Sequence, residues 1–240
     1  MLNTRHPDVQ LRPTADGSGT LYVPALDEHY HSTHGAVQEA RHVYLAAGLE
    51  PALTAVTGPV RVLEVGFGTG LNALLTLERS LTAVVHISYD TVEKHPLPWE
   101  LVRGLATAPE LQAPPLPAFR QLLHEAAWEQ PVALTPGFTL RKLAGELQSL
   151  VLGFEAYQVI YFDAFAPEKQ PDMWTDAVFE HLYAATAPGG CLVSYCAKGS
   201  FKRSLRAAGW QTEGIPGPPG KREMTRAWKP KIFVGLSSFI

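Results

Sequence analysis

Three glycines at alternate positions, Gly66, Gly68 and Gly70, follow the apolar run Val60–Val65 and the acid it contains, Glu64. Glycine lets a backbone turn tightly and approach a ligand closely. Two cofactor classes use a strand, a glycine loop and a helix in this order. The dinucleotide fingerprint requires Gly-x-Gly-x-x-Gly, with a pyrophosphate seated on the helix N-terminus. Here the third position is Leu71, and Gly70 falls one residue early. Glu64 would also repel a pyrophosphate. S-adenosylmethionine has no phosphate; its sulfur is cationic and its methionine end carries an ammonium, so a carboxylate beside the loop suits it. The competing reading is a glycine-rich turn that holds nothing.

Further acids fall at strand ends. Glu93 closes a second apolar run about 20 residues after the glycines, the spacing of a carboxylate that accepts ribose hydroxyls; Asp90 is a rival three residues earlier. Glu146 follows the run at 138–143 and is placed to approach an adenine amino group. Asp163 ends the run Tyr157–Phe162. In open parallel α/β sheets ligands collect at the carboxyl ends of strands, which puts Asp163 near the transferable methyl group. A capping or loop-ordering aspartate is the bland alternative. His29, His31 and His34 cluster without a carboxylate or thiol pattern around them, so no metal is expected.

The elements that must hold these residues alternate. Strand-like runs at 60–65, 83–92, 138–143, 158–162 and 191–195 are separated by helical patterns at 71–80 and 176–186, which predicts a mostly parallel sheet covered by helices on both faces. Residues 210–213 and 232–236 read as two closing strands. The first 58 residues read as an extension packed on the core: a hairpin turning at 15–18, then a helix over 35–47. The methyltransferase unit is expected over 59–240, with a proline-rich insertion at about 96–136 that carries a helix at 119–128 and lies over the sheet edge or the site.

The chain has 240 residues, 46% of them hydrophobic and 18% charged, ordinary values for a globular protein. It has no run near the roughly 20 apolar residues of a membrane span. Cys191 and Cys196, five apart, point to opposite sheet faces, which disfavours a disulfide and suits a reducing cytoplasm. The formal charge is −3, but from Lys198 onward nine cations face two acids, +7 against −10 in the preceding 197 residues. Such asymmetry suits an anionic partner; a solvated helix face with a basic terminus is the other reading.

Glu64 to Gly70 is similar to motif I of class I, Rossmann-like S-adenosylmethionine-dependent methyltransferases. A narrower resemblance rests on Asp163-Ala164-Phe165-Ala166-Pro167 with Lys169, Pro171, Met173 and Trp174, which resembles the signature of MnmC-type tRNA methyltransferases. Glu64 through Asn72, Glu93-Lys94-His95-Pro96, Gln38 through Tyr44, and Lys221-Arg222-Glu223-Met224 are similar to that family's other elements. The resemblance implies methylation of the primary amine of 5-aminomethyl-2-thiouridine at the wobble position of a tRNA anticodon loop. It brings Phe67 and Asn72 into the cofactor set with Glu64, Gly66, Gly68, Gly70, Glu93, Glu146 and Asp163, and makes Asp163 the catalytic carboxylate. The basic end, Lys198, Lys202, Arg203, Arg206, Lys221 and Arg222, then becomes a surface for tRNA phosphates. Phe67, Phe165, Trp174 and Tyr195 are candidates to stack on an extruded base. Many members of the family are fused to a flavin-dependent oxidase that makes the amine. The methyltransferase motifs fill this chain, so a stand-alone form without flavin is expected, with a separate enzyme supplying the amine. A methyltransferase for a small amine or a protein, and a non-catalytic scaffold, remain the alternatives.

Overall fold

The computed structural model describes residues 9–32 and 35–231. A hairpin comes first: β1 (Gln10–Pro13) and β2 (Gly19–Val23) pair antiparallel, and β3 (Glu28–His29) adds to β2. Asp16 in the turn accepts hydrogen bonds from Thr14 and Ser18, and also from the Val37 amide. The hairpin thereby supplies the helix start that Gly35 cannot cap with a side chain. Helix α1 (Ala36–Ala40) continues as a π-helical stretch, Arg41–Leu49, and then as α2 (Glu50–Ala55). The sequence stops this helix at 47; the chain instead runs on through Pro51, at the junction of the π-helical stretch and α2. Its apolar residues, among them Val43, Tyr44 and Leu49, belong to the main core.

The main sheet contains β4 (Val60–Val65), β5 (Ile87–Glu93), β6 (Pro131–Thr135), β7 (Phe138–Ala144), β8 (Tyr157–Phe162), β9 (Thr186–Ser194), β10 (Gln211–Pro216) and β11 (Glu223–Trp228). Their order is β10-β11-β9-β8-β4-β5-β7-β6. The five strands from β9 to β7 are parallel, and β6, β10 and β11 are antiparallel additions at the two edges. Side chains alternate between faces, as a pleated strand requires. Val60, Val62, Val159 and Tyr161 pack against the Ala36–Ala55 helix, α3 (Leu71–Ser80) and α5 (Leu116–Glu125). Leu63, Val65, Ile160 and Phe162 pack against α6 (Asp176–Ala185) and α7 (Gly199–Ala207). Cys191 and Cys196 fall in different core clusters as free thiols.

Two expectations need correction. The penultimate strand continues to Pro216, and its partner is Glu223–Trp228, an element the sequence reading did not include as a strand; residues 232–236 lie outside the described residues. The insertion also does more than cover the sheet. It contributes β6 as the edge strand, entered at Pro131 where a missing donor is tolerated, and it packs α5 onto α3. The insertion and the hairpin meet in a small apolar cluster around Leu21, Leu97, Val102 and Leu105, and the Gly19 amide donates to the Ala106 carbonyl at 2.8 Å. Among the described residues, no helix is long and apolar enough to cross a membrane.

Candidate active site

From β4 the chain passes to β5 on one side and, after β7, returns to β8 on the other. The two strand ends flanking this reversal define the place where open α/β sheets bind ligands. A cavity of about 680 Å³ opens there, lined by the ends of β4, β5, β7, β8 and β9 and walled by Tyr30 and His31 from the hairpin side. Its size is within the range of small-molecule sites.

The glycine loop forms one wall. Gly66, Gly68 and Gly70 all have positive φ. A Cβ on Gly66 would lie 2.9 Å from the Asp163 carbonyl oxygen, and one on Gly68 would lie 3.0 Å from the Tyr30 ring. The loop is braced from both sides. His31 Nε2 is 2.5 Å from the Thr69 hydroxyl, and His124 Nε2, from the insertion, is 2.9 Å from the Thr69 carbonyl oxygen. Burial holds both imidazoles neutral, with pKa values lowered to about 4. Behind Phe67 lies a buried lysine, Lys142, whose ammonium donates to the His124 carbonyl and faces the rings of Phe67 and Trp128; burial lowers its pKa to about 8.

Glu93 stands at the end of β5 with its carboxylate in the cavity, accepting from the Gly68 amide at 3.0 Å and the His95 amide at 2.7 Å. Its rival Asp90 is committed elsewhere: it is buried, accepts from Arg141 and Tyr157, and pairs with Arg61. Glu146 lines the cavity and pairs with Lys94 at 2.7 Å, which holds its carboxyl below the usual range. Glu64 is placed differently from the sequence reading. Strand alternation turns it away from the cavity wall into the protein, where it is fully buried, accepts from the Thr91 hydroxyl at 2.7 Å, and leaves Oε1 without a hydrogen-bond partner. Burial raises its pKa to about 8. Gly70 likewise borders a smaller hollow beneath the loop instead of the main cavity.

Asp163 lies where β8 ends, partly buried and lining the cavity. The Tyr44 hydroxyl donates to Oδ1 at 2.5 Å and the Asn72 amide to Oδ2 at 2.9 Å. Burial is the larger influence and raises the Asp163 pKa to about 6 despite both donors. The residues after it shape the loop: the Phe165 amide donates to the Gln170 side chain, Trp174 Nε1 donates to the Phe165 carbonyl, and the Tyr195 hydroxyl donates to the Ala164 carbonyl. Trp174 is therefore a structural residue, packed edge-on against Phe162, Phe179 and Phe201, and only Phe67, Phe165 and Tyr195 of the four aromatics line the cavity.

Tyr44, Glu39 and Lys221 complete this end of the site. Tyr44, which the sequence placed only in the helix over 35–47 and in the Gln38–Tyr44 segment, projects from the π-helical stretch, a winding often found at functional sites. Lys221, expected on a phosphate-binding surface, instead lines the cavity and donates to Glu39. Other cations of the basic end are also engaged: Lys198 pairs with Glu168, Lys202 with Glu223, Arg226 with Glu213 and Lys229 with Glu155. Lys198 is outside the cavity. Arg203, Arg206 and Arg222 are exposed. Of the histidine cluster, His29 packs at a tilt against Tyr22 and His31 holds Thr69; among the described residues no three His, Cys, Asp or Glu side chains converge on a metal position.

Cavity walls carrying Glu28, Glu39, Glu93, Glu146, Asp163 and Asp172 against Lys94 and Lys221 favour a cationic ligand and disfavour a pyrophosphate. A family model described as S-adenosyl-L-methionine-dependent methyltransferase matches residues 117–230. The bifunctional protein MnmC of tRNA 5-methylaminomethyl-2-thiouridine biosynthesis from Cupriavidus metallidurans is 33% identical over 228 residues, covering 90% of this chain and 33% of that protein. Its counterpart from Stutzerimonas stutzeri is 36% identical over 215 residues, covering 82% and 31%. The chain carries an S-adenosyl-L-methionine-dependent methyltransferase domain homologous to part of MnmC. It spans about a third of the length of these curated relatives. The crystal structure of MNMC2 from Aquifex aeolicus superposes with a TM-score of 0.76 at 24% identity, covering 93% of this chain and 71% of that one. The fold is accordingly the class I methyltransferase fold.

Proposed function

We propose that this protein transfers a methyl group from S-adenosylmethionine to the primary amine of a 5-aminomethyl uridine, thiolated or not, at the wobble position of tRNA, in the cytoplasm where tRNA is modified. The observation that carries this reading is Asp163: a carboxylate with a raised pKa, aimed by two donors into an acidic cavity next to the glycine loop. S-adenosylmethionine, when bound, supplies a methyl group on a sulfonium that needs no metal to activate it. Glu93 is suited to the ribose hydroxyls, Gly66 and Gly68 to close backbone approach, Phe67 and Asn72 to the loop's inner wall, and Glu146 to the adenine edge. Glu64, beneath the loop, offers a buried carboxylate whose charged form a cationic ligand would favour.

An alkyl amine is largely protonated near neutrality, as lysine is. Asp163 holds the ammonium, takes its proton and leaves the nitrogen lone pair free to attack in line. A pKa near 6 makes it a stronger base than an ordinary aspartate while leaving it mostly ionised at pH 7. The test is methyl transfer from radiolabelled S-adenosylmethionine to tRNA isolated from cells lacking this gene, followed by nucleoside analysis. Conversion of the aminomethyl nucleoside to its methylaminomethyl form is expected. Label in protein or small amines with none in tRNA would replace this reading with the corresponding one, and no transfer at all would leave a scaffold.

The basic end enters this reading in reduced form. Because Lys198 and Lys202 are paired with acids, Arg203, Arg206 and Arg222 are the cations expected to meet phosphates. Replacing all three by alanine should weaken tRNA binding and lower the salt slope by about 2–3, since fewer counterions are released. Affinity for S-adenosylhomocysteine should not change. Normal tRNA binding by this variant across several salt concentrations would remove these arginines from the footprint.

A further inference from the structure

The Lys221 side chain has an arrangement that an ordinary ion pair does not need. Its ammonium is 2.9 Å from Glu39 Oε2 and 4.2 Å from the centre of the Tyr195 ring, and all three residues line the same cavity as Asp163. Glu39 is the more enclosed partner, its side chain 16% exposed against 35% for Lys221. A carboxylate on one side and an aromatic face on the other is the environment that proteins use to bind an alkylammonium ion. The Tyr195 ring is fixed because its hydroxyl is committed to the Ala164 carbonyl, and Glu39 is fixed on α1, one turn before Tyr44, the residue that aims Asp163. The position is thus built from rigid elements, next to the carboxylate that would take the acceptor's proton, and a lysine reaches it from the loop before β11.

We propose that Glu39 and the Tyr195 ring, beside Asp163, form the subsite for the acceptor's ammonium, and that the Lys221 ammonium occupies it until the acceptor displaces it. The proposal rests on the amine reading above and adds what receives the amine. Lys221 is here a resident cation, of the same chemical class as the ligand, which keeps Glu39 paired while the cavity is open to water. When displaced, its long side chain carries the charge out toward the mouth of the cavity, into water.

The experiment is steady-state methylation of aminomethyl-uridine tRNA by wild type, K221M and E39Q across pH. Displacement predicts opposite signs: K221M should lower KM about fivefold, the scale of one partly exposed ion pair no longer in competition, and E39Q should raise KM by at least as much. The pH profile supplies a readout that a structural role would not move. Asp163 is faced by Tyr44 and Asn72 through hydrogen bonds, by Glu39 and Lys221 through charge, and by Glu64 and Tyr195 nearby. Lys221 lowers its pKa and Glu39 raises it, so the acid limb of kcat/KM should move to higher pH in K221M and to lower pH in E39Q. An unchanged or raised KM in K221M would overturn the proposal and make Lys221 a contact for the RNA. If wild type methylates no tRNA, the substrate reading fails separately. The subsite is then read by titrating ethylammonium into the S-adenosylhomocysteine complex of K221M by NMR: binding that E39Q/K221M loses supports it, and no binding overturns it.

Discussion

Asp163→Asn is expected to lower methyl transfer by about 10²–10⁴-fold, the range for loss of a general base, while the protein becomes more stable, not less. Both effects follow from the same burial. The Asp163 pKa is raised from 3.8 to about 6, so the folded state binds a proton more tightly than the unfolded state does. Stability from this group is therefore greatest below about pH 4 and is lost as pH rises through about 6. At pH 7 the ionised carboxylate costs on the order of 2–3 kcal/mol. Asparagine removes that cost and still accepts from the Tyr44 hydroxyl; Asn72 can rotate its amide to present oxygen to the new nitrogen. The rate should be measured in single turnovers at saturating S-adenosylmethionine, with cofactor affinity measured in parallel, so that a loss of cofactor binding is separated from a loss of chemistry. Melting of both proteins should differ more at pH 7 than at pH 5. A wild-type rate in the variant would mean that Asp163 is not the base. A loss of stability with the rate retained would assign it to loop ordering.

Where the sequence was informative, the reason was local. β4 and α3 have the bounds their patterns predict, because an apolar run, a glycine loop and an amphipathic helix each specify themselves within a few residues. The position of Glu93 and Asp163 at the cavity was legible because a strand's end is visible and an acid there is conspicuous. β11 was missed since Glu-Met-Thr-Arg-Ala-Trp carries two charged side chains; ladders to β10 and β9 hold it in the sheet, and Arg226 pairs with Glu213 on β10. The placement of Glu64 was missed because a one-residue step along a strand reverses its face, and the loop's appearance drew it toward the ligand. Tyr44 and Lys221 belong to the site through packing across the sheet: Tyr44 is 119 residues from Asp163 in the chain. A surplus of lysine and arginine at one end is legible from composition. That five of those cations are paired with acids follows only from the fold.

The glycine loop gives the second large effect, and the structure ranks its positions. At Gly68 the nearest obstacle to a Cβ is the Tyr30 ring, a side chain that can move, and φ is +50, close to the left-handed region that other residues visit. At Gly66 φ is +96 and the obstacle is the Asp163 carbonyl oxygen at 2.9 Å, backbone against backbone. The Gly66 amide donates to Val92 at the end of β5, and the Asp163 amide donates to Val65 at the end of β4, so neither side can yield without parting the strand ends that carry Glu93 and Asp163. Gly66→Ala should therefore combine about 1–3 kcal/mol of backbone strain with displacement of both carboxylates. Affinity for S-adenosylhomocysteine is expected to fall at least about 30-fold, with turnover falling further because Asp163 moves as well. Gly68→Ala should lose less. Gly58→Ala is the control, since a Cβ there meets nothing within 4 Å and needs no unusual φ; it should bind and turn over as wild type does. Calorimetry on the three variants decides the order. If Gly66→Ala binds S-adenosylhomocysteine as tightly as Gly58→Ala, the cofactor does not use this loop, and the acids at the ends of β5 and β8 would need another ligand to explain them.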